Sequence, residues 1–159
     1  MEPIRIGVIK EGKVPPDFRT PLTPNQCKVL KTMYPHAEVV VQSSPIRTFA
    51  DQEYRDHGVE VVEDLSDCDI ILGVKEVPIP ALIPGKTFMF FSHTIKKQPY
   101  NRELLRALLD QKIRLIDYEV IKDKYRSRLI GFGRYAGIVG CYNGFLTYGL
   151  KHGTYSIKP

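Results

Sequence analysis

The strongest constraint on this chain is a set of apolar runs: Ile4 to Ile9 (IRIGVI), Ala37 to Val41 (AEVVV), Asp69 to Val74 (DIILGV) and Thr87 to Phe91 (TFMFF). Several are continuously apolar instead of alternating. Strands read that way when both faces are buried, as in a parallel sheet covered by helices on each side. Shorter runs at Val59 to Val62 and Ile113 to Ile116 read as further strands.

Helical patterns separate the strands. Thr23-Pro24-Asn25-Gln26 has the form of a capping box, with Thr as N-cap and Pro at the first helical position. The helix it opens is predicted to reach about Met33, with Cys27, Leu30 and Met33 on one face. A short helix is predicted over Thr48 to His57, capped by Thr48 and stopped by Gly58. Asn101 to Asp110 reads as a helix with Leu104, Leu105, Leu108 and Leu109 inward, and a last helix runs from near Arg134 to about Leu150. Strands alternating with helices predict an α/β fold of three layers, its mostly parallel sheet flanked by helices and its end a long helix. In such sheets ligands gather beyond the carboxyl ends of the strands.

Composition narrows the function classes. The 159 residues suit one domain, and 43% hydrophobic with 26% charged residues is ordinary for a soluble protein. The net charge of +5 is scattered. Its densest stretch, Lys122 to Arg128, reads as a solvated basic loop, and an anionic small substrate is another outlet for the surplus. Neither nucleic acid nor membrane is expected as a partner, since no apolar run approaches the about 20 residues that a spanning helix needs. The N-terminus enters a strand within a few residues and lacks a signal-peptide core. Cys27, Cys68 and Cys141 are odd in number and far apart, so they read as reduced, mostly buried thiols of a cytoplasmic protein. His36, His57 and His152 form no cluster with Cys or acids, and no metal is expected.

The loops after the strands carry the candidate chemistry. Asp17-Phe18-Arg19 follows the first strand and Lys75-Glu76 the fourth. Ser92-His93-Thr94-Ile95-Lys96 follows the fifth and Asp117-Tyr118-Glu119 the sixth. Each alone has a bland reading as a solvated charge; their convergence on one sheet edge is the signal. Arg offers a fork that matches a carboxylate. Lys and His can move protons when burial and charge bring them towards neutrality, and neighbours such as Glu76 and Glu119 restrain that shift. The set suits an amino or oxo acid.

Gly131 to Gly137 (GFGRYAG) satisfies the G-x-G-x-x-G/A pattern of dinucleotide loops at Gly131, Gly133 and Ala136. That fingerprint needs a strand before it, a helix after it, and a second strand with an acid about 20 residues on. Only HGTYSIKP follows Lys151, with no acid. The glycines are therefore read as easing a tight turn from strand (Leu129, Ile130) to helix and allowing close packing.

These motifs resemble a known family. Gly7-Val8-Ile9-Lys10-Glu11 followed by Arg19-Thr-Pro-Leu-Thr-Pro24 is similar to the opening of the alanine dehydrogenase and transhydrogenase N-terminal family. Asp69 to Pro78 resembles that family's strand ending in a catalytic lysine. Phe91 to Gln98, Leu115 to Glu119 and Gly131 to Gly137 look more like its saccharopine dehydrogenase (lysine-forming) and lysine-ketoglutarate reductase branch. The resemblance implies a Rossmann-like or flavodoxin-like substrate domain over 1–150. Residues 151–159 would begin a linker towards a nucleotide-binding domain supplied in cis or as a separate chain. It implies Lys75 and His93 as the acid–base pair, Arg19 and Lys96 as substrate-carboxylate ligands, and Glu76 and Glu119 as the carboxylates that tune the pair. The implied reaction interconverts lysine plus 2-oxoglutarate with saccharopine. NAD or NADP would be bound mainly by the second domain, so the 159 residues alone are expected to be inactive. The enzyme would be cytoplasmic, or mitochondrial within a larger eukaryotic enzyme, and a homo-oligomer is compatible with it. Arg134 departs from the branch, where that position holds an apolar or neutral residue. The alternatives are a stand-alone binding or regulatory module without redox chemistry, and the substrate domain of an alanine dehydrogenase.

Overall fold

The computed structural model describes residues 3–157, which fall into two compact units that divide after Ile121. The first unit is built on six parallel strands: β1 (Ile4–Val8), β2 (Ala37–Gln42), β3 (Glu60–Val62), β4 (Ile70–Leu72), β5 (Thr87–Phe90) and β6 (Arg114–Asp117). Their order across the sheet is β3-β2-β1-β4-β5-β6. β1 pairs in parallel with β2 on one side (Val8 with Val41) and with β4 on the other (Val8 with Leu72). Helices α1 (Pro24–Met33), α2 (Asp51–Asp56) and α3 (Arg102–Asp110) lie in the connections.

The expected three layers are present because each central strand is apolar on both faces. Val8, Val39 and Val41 face one core, shared with Cys27 of α1 and with Tyr54 of α2. Ile9, Val40, Ile71, Phe88 and Phe90 face the other, shared with Leu104 and Leu108 of α3. The edge strands are less buried: Glu60 of β3 and Arg114 of β6 are exposed.

The return from β3 to β4 has to cross over β2 and β1, and no helix serves it. Leu65 and Cys68, both about 2% exposed or less, pack against β1 instead. Gly7 makes room for them: a Cβ there would lie 2.8 Å from Cys68 Sγ and 2.9 Å from Leu65 Cδ2.

Local signals explain most boundaries. The Thr23 hydroxyl accepts the Gln26 N–H and the Gln26 side chain accepts the Thr23 N–H, closing the predicted capping box. Gly58 stops α2 with φ of 72°. Thr48, however, does not cap α2. Its hydroxyl and its N–H both donate to Phe18 O at 2.8 Å, tying it to the loop after β1, and α2 begins only after Ala50, whose N–H is taken by Glu53. On α3, Leu104 and Leu108 are buried, but Leu105 and Leu109 are 42% and 68% exposed. The inward stripe is one residue wide with Ala107 beside it, because each following leucine is turned about 100° away. Met33 is likewise exposed at the end of α1.

The second unit holds an antiparallel bridge, Lys122 with Arg128, and the long helix α4 (Gly133–His152). Cys141 on α4 is exposed, unlike buried Cys27 and Cys68. Leu129 and Ile130 form no strand; a bend leads into α4 at Gly133. A Cβ at Gly131 or Gly133 would meet nothing within 4 Å, and neither glycine has positive φ, so the tight turn and close packing expected there are not found. The polypeptide after α4 folds back, with the Tyr155 hydroxyl donating to Phe145 O at 3.0 Å.

The crossover packing makes a clear prediction. Gly7→Ala should destabilise the chain by about 1–3 kcal/mol through overpacking, and Cys68→Ala on that background should recover part of the loss. Urea unfolding measures both; an unchanged midpoint for Gly7→Ala would contradict the tight crossing.

Candidate functional site

All six parallel strands deliver their following loops to one edge, and four of those loops bring charged side chains together. After β1, Glu11 turns inward and its carboxylate accepts the backbone N–H of Val74 (2.6 Å) and of Lys75 (2.9 Å). This bond fastens the loop of β1 to the end of β4, where the strand order reverses. Burial pushes the Glu11 pKa up, the two N–H bonds opposing it. Further along the same loop Arg19 forms a two-pronged pair with Asp17, with Nε donating to Oδ1 at 2.8 Å and Nη2 to Oδ2. That pairing is the main reason the Asp17 pKa falls, and the charge of Lys75 lowers it further. Lys75 itself is half-buried, and among the described residues its ammonium makes no ion pair.

Around His93 the contacts are denser. Nδ1 lies 2.9 Å from Glu119 Oε2 and 2.9 Å from Lys96 Nζ, while Nε2 lies 3.7 Å from Glu76 Oε1. Lys96 Nζ is also 3.3 Å from Glu119 Oε1, and Lys13 Nζ is 2.9 Å from Glu76 Oε2. Phe91 stacks beside the imidazole with 6.3 Å between centroids, and Tyr118 meets Phe91 edge-on at 5.2 Å. The Tyr118 hydroxyl is pushed up to about 12 by burial and by the charge of Glu11, so it stays protonated. Glu119, with a side chain only 3% exposed, would be raised by burial, but its bonds to His93 and Lys96 outweigh that and its pKa is lowered. Glu76 follows the same balance, with burial opposed by Lys13 and by the charge of His93, and is also lowered.

The geometry allows proton movement at one atom. A single ring nitrogen cannot serve both neighbours: protonated Nδ1 donates to Glu119, and unprotonated Nδ1 accepts from Lys96. Either way Nε2 remains on the side of Glu76, and Glu76 in turn lines a hollow of about 290 Å³ with Lys13, Pro78, Tyr100 and Glu103 among others.

The structure thus brings His93, Lys96, Glu76 and Glu119 into one contact network, with Lys75 and Arg19 beside Asp17 on its flank. His93 touches Glu76 and not Lys75, although the latter two are adjacent in sequence. Glu11, Lys13, Asp17, Ser92 and Asp117 add contacts at this edge; Asp17, Ser92 and Asp117 stand in the loops named from the sequence, but none of the five was given a role there. Their charges are visible in the sequence, but the path of the loop after β1 is not, and it decides which of them turn inward. Among the described residues no group of three or more His, Cys, Asp or Glu side chains could hold a metal ion.

The connection between β1 and α1 offers no phosphate turn for a dinucleotide. In the doubly wound strand order the pyrophosphate belongs at a short glycine-rich turn between β1 and α1. Here that connection is long and contains Pro15, Pro16 and Pro21, and the α1 N-terminus is occupied by Thr23, Gln26 and Pro24. GFGRYAG lacks the preceding strand.

Residues 7–139 match the family described as "Alanine dehydrogenase/PNT, N-terminal domain". The chain belongs to that family. Within it, the chain is 42% identical over 133 residues to the mitochondrial alpha-aminoadipic semialdehyde synthase of Bos taurus, covering 84% of this chain and 14% of the relative. It is 30% identical over 154 residues to the saccharopine dehydrogenase [NAD(+), L-lysine-forming] of Yarrowia lipolytica, covering 94% of this chain and 41% of that one. A solved L-alanine dehydrogenase shares the architecture, with a TM-score of 0.63 at 25% identity over 78% of this chain and 35% of that one. The chain therefore spans well under half the length of these relatives. No helix among the described residues is long and apolar enough to cross a membrane.

The lowered Glu119 gives a stability prediction. A carboxylate whose folded pKa is depressed adds stability above its unfolded value, ordinarily 4.5, and loses it as pH falls through the folded value. Melting temperature should therefore drop less steeply between about pH 6 and pH 3 in Glu119→Gln than in the parent chain. Parallel curves would mean that the pairs to His93 and Lys96 do not form in solution.

Proposed function

We propose that this domain is the substrate-binding part of an amino-acid oxidoreductase that interconverts lysine plus 2-oxoglutarate with saccharopine. The observation that carries the reading is the His93 imidazole held between Glu119, Lys96 and Glu76 at the carboxyl edge of the sheet. The names of the 42% and 30% identical relatives support the same chemistry.

In this reading Arg19 and Lys96 bind substrate carboxylates. Each is neutralised by an internal carboxylate, Asp17 or Glu119, so an incoming anion exchanges one partner for another instead of meeting a bare charge. Lys75 and His93 handle the protons. Joining an amine to a 2-oxo acid through a carbinolamine and an imine requires removing protons from nitrogen and delivering one to the departing oxygen. His93 can take or give at Nε2 while Nδ1 is steadied by Glu119. The reduced form of NAD or NADP would supply the hydride to the imine, and the oxidised form would accept it in reverse. A nucleotide-binding domain, in cis or as a separate chain, would hold the cofactor, since the connection between β1 and α1 offers no phosphate turn. The same reading assigns the reaction to the cytoplasm, or to mitochondria in a larger eukaryotic enzyme.

Binding tests this directly. By calorimetry the chain should prefer 2-oxoglutarate to pyruvate, whose single carboxylate leaves one cation unused. Arg19→Ala should weaken 2-oxoglutarate by about 10- to 100-fold, the usual worth of a charge-assisted contact. A preference for pyruvate would favour the alanine dehydrogenase reading, and unchanged affinity in Arg19→Ala would remove Arg19 from the site.

Turnover tests the proton carriers. In the assembled enzyme, replacing Lys75 or His93 singly should lower kcat by about 10²- to 10⁴-fold, and the double replacement should cost much less than the product of the two. Fully multiplicative losses with an intact pH profile would place the acid–base pair elsewhere.

A further inference from the structure

Ser92 and Asp117 are 0% and 6% exposed, too enclosed to touch a ligand, yet both are polar and sit at the centre of the site's wall. The ladder between β5 and β6 ends at Phe90 with Asp117, so beyond it the backbone no longer fixes one loop against the other. The Asp117 carboxylate takes over. One oxygen accepts the Ser92 hydroxyl and the other accepts the Glu119 N–H at 2.8 Å. Ser92 Oγ in turn accepts the Thr94 N–H at 3.1 Å and lies 2.8 Å from Thr94 Oγ1. These bonds bracket His93 on both sides. His93 has φ 57° and ψ 7°, a left-handed conformation that a residue with a Cβ resists and that surrounding bonds have to hold.

We propose that Ser92 and Asp117 are positioning residues, a buried latch joining the loops after β5 and β6 so that His93 and Glu119 face each other. The role rests on the proposed reaction only in that His93 is its proton carrier; the latch itself is a matter of geometry.

The test reads Glu119. The groups facing its carboxylate are His93 and Lys96 from the loop after β5, with Glu76 behind the imidazole from the loop after β4. The titration of the Glu119 side-chain carbon is followed by NMR in the whole 159-residue chain, in the parent and in Asp117→Asn and Ser92→Ala. If the latch opens, Glu119 leaves its cations and its midpoint rises by about half a pH unit or more in both variants. Asp117→Asn also deletes a negative charge close by, which by itself would lower the midpoint, so a rise there comes from lost contact. Unmoved or lowered midpoints in folded variants overturn the proposal. Asp117→Asn is isosteric and Ser92→Ala removes one hydroxyl; if neither unfolds cooperatively, the pair maintains the fold and not the site, which also overturns it. In the assembled enzyme both variants should lower kcat at least tenfold and shift a limb of its pH profile, with KM for 2-oxoglutarate within about twofold of the parent. Shifted midpoints in a chain whose parent assembly shows no turnover would keep the latch and sink the proposed reaction. Full turnover with an unaltered pH profile would sink the latch.

Discussion

The pairing of β1 with β4 is the contact on which the arrangement depends. The chain travels outward from β1 through β2 to β3, then returns across the sheet to lay β4 against the other side of β1. At that reversal the loops after β1 and β4 leave in different directions and open a crevice. Gly7 permits the return, because any side chain there would strike Leu65 and Cys68. Glu11 then spans the crevice and fixes the end of β4 through the N–H groups of Val74 and Lys75. The position of Lys75 is thus set by a carboxylate eleven residues into the chain, long before Lys75 itself appears.

Charge balance shapes the edge as much as topology. Lys13 with Glu76, Arg19 with Asp17 and Lys96 with Glu119 are each paired within the domain. The carboxylates are the enclosed partners, with side chains 3–16% exposed, and without these cations they would lose hydration uncompensated. For a substrate with several carboxylates, such pairing means exchange of partners, so selectivity depends on matching more than one cation at once. A monocarboxylate can relieve only one pair, and on the proposed reading this favours the dicarboxylate. Lys75 differs from these cations in making no ion pair among the described residues.

Much of the fold was legible because burial on two faces leaves a direct mark. Val39, Val40 and Val41 are consecutive and all buried, which no one-sided strand tolerates. The Thr23 box and Gly58 were legible because their bonds are local. What failed was decided at a distance. Thr48 looked like a cap but is claimed by Phe18, thirty positions away. Leu105 and Leu109 matched an inward pattern, yet how wide a stripe is covered depends on the neighbours and not on the helix. Site residues divide in the same way. His93, Lys96, Glu76 and Glu119 stood immediately after apolar strands, whereas Lys13 and Asp17 lie within a proline-rich loop whose course follows no period. Ser92 and Asp117 were visible beside the site, but their bond across two loops was not.

The strand order is one that dinucleotide-binding domains use, and the reason no phosphate turn joins β1 to α1 is local. A phosphate at the start of α1 would need free N–H groups, a short approach and room for backbone contact. Thr23 accepts the Gln26 N–H, Pro24 has no N–H to give, and the long path from Ile9 to Thr23 carries the polypeptide away to deliver Glu11, Lys13, Asp17 and Arg19 instead. The same topological position therefore serves either a cofactor phosphate or a set of charged side chains, and the length of one loop decides between them. In this domain the loop is long and the helix N-terminus is closed by its own side chains; on the proposed reading the charged edge then serves a small anionic molecule.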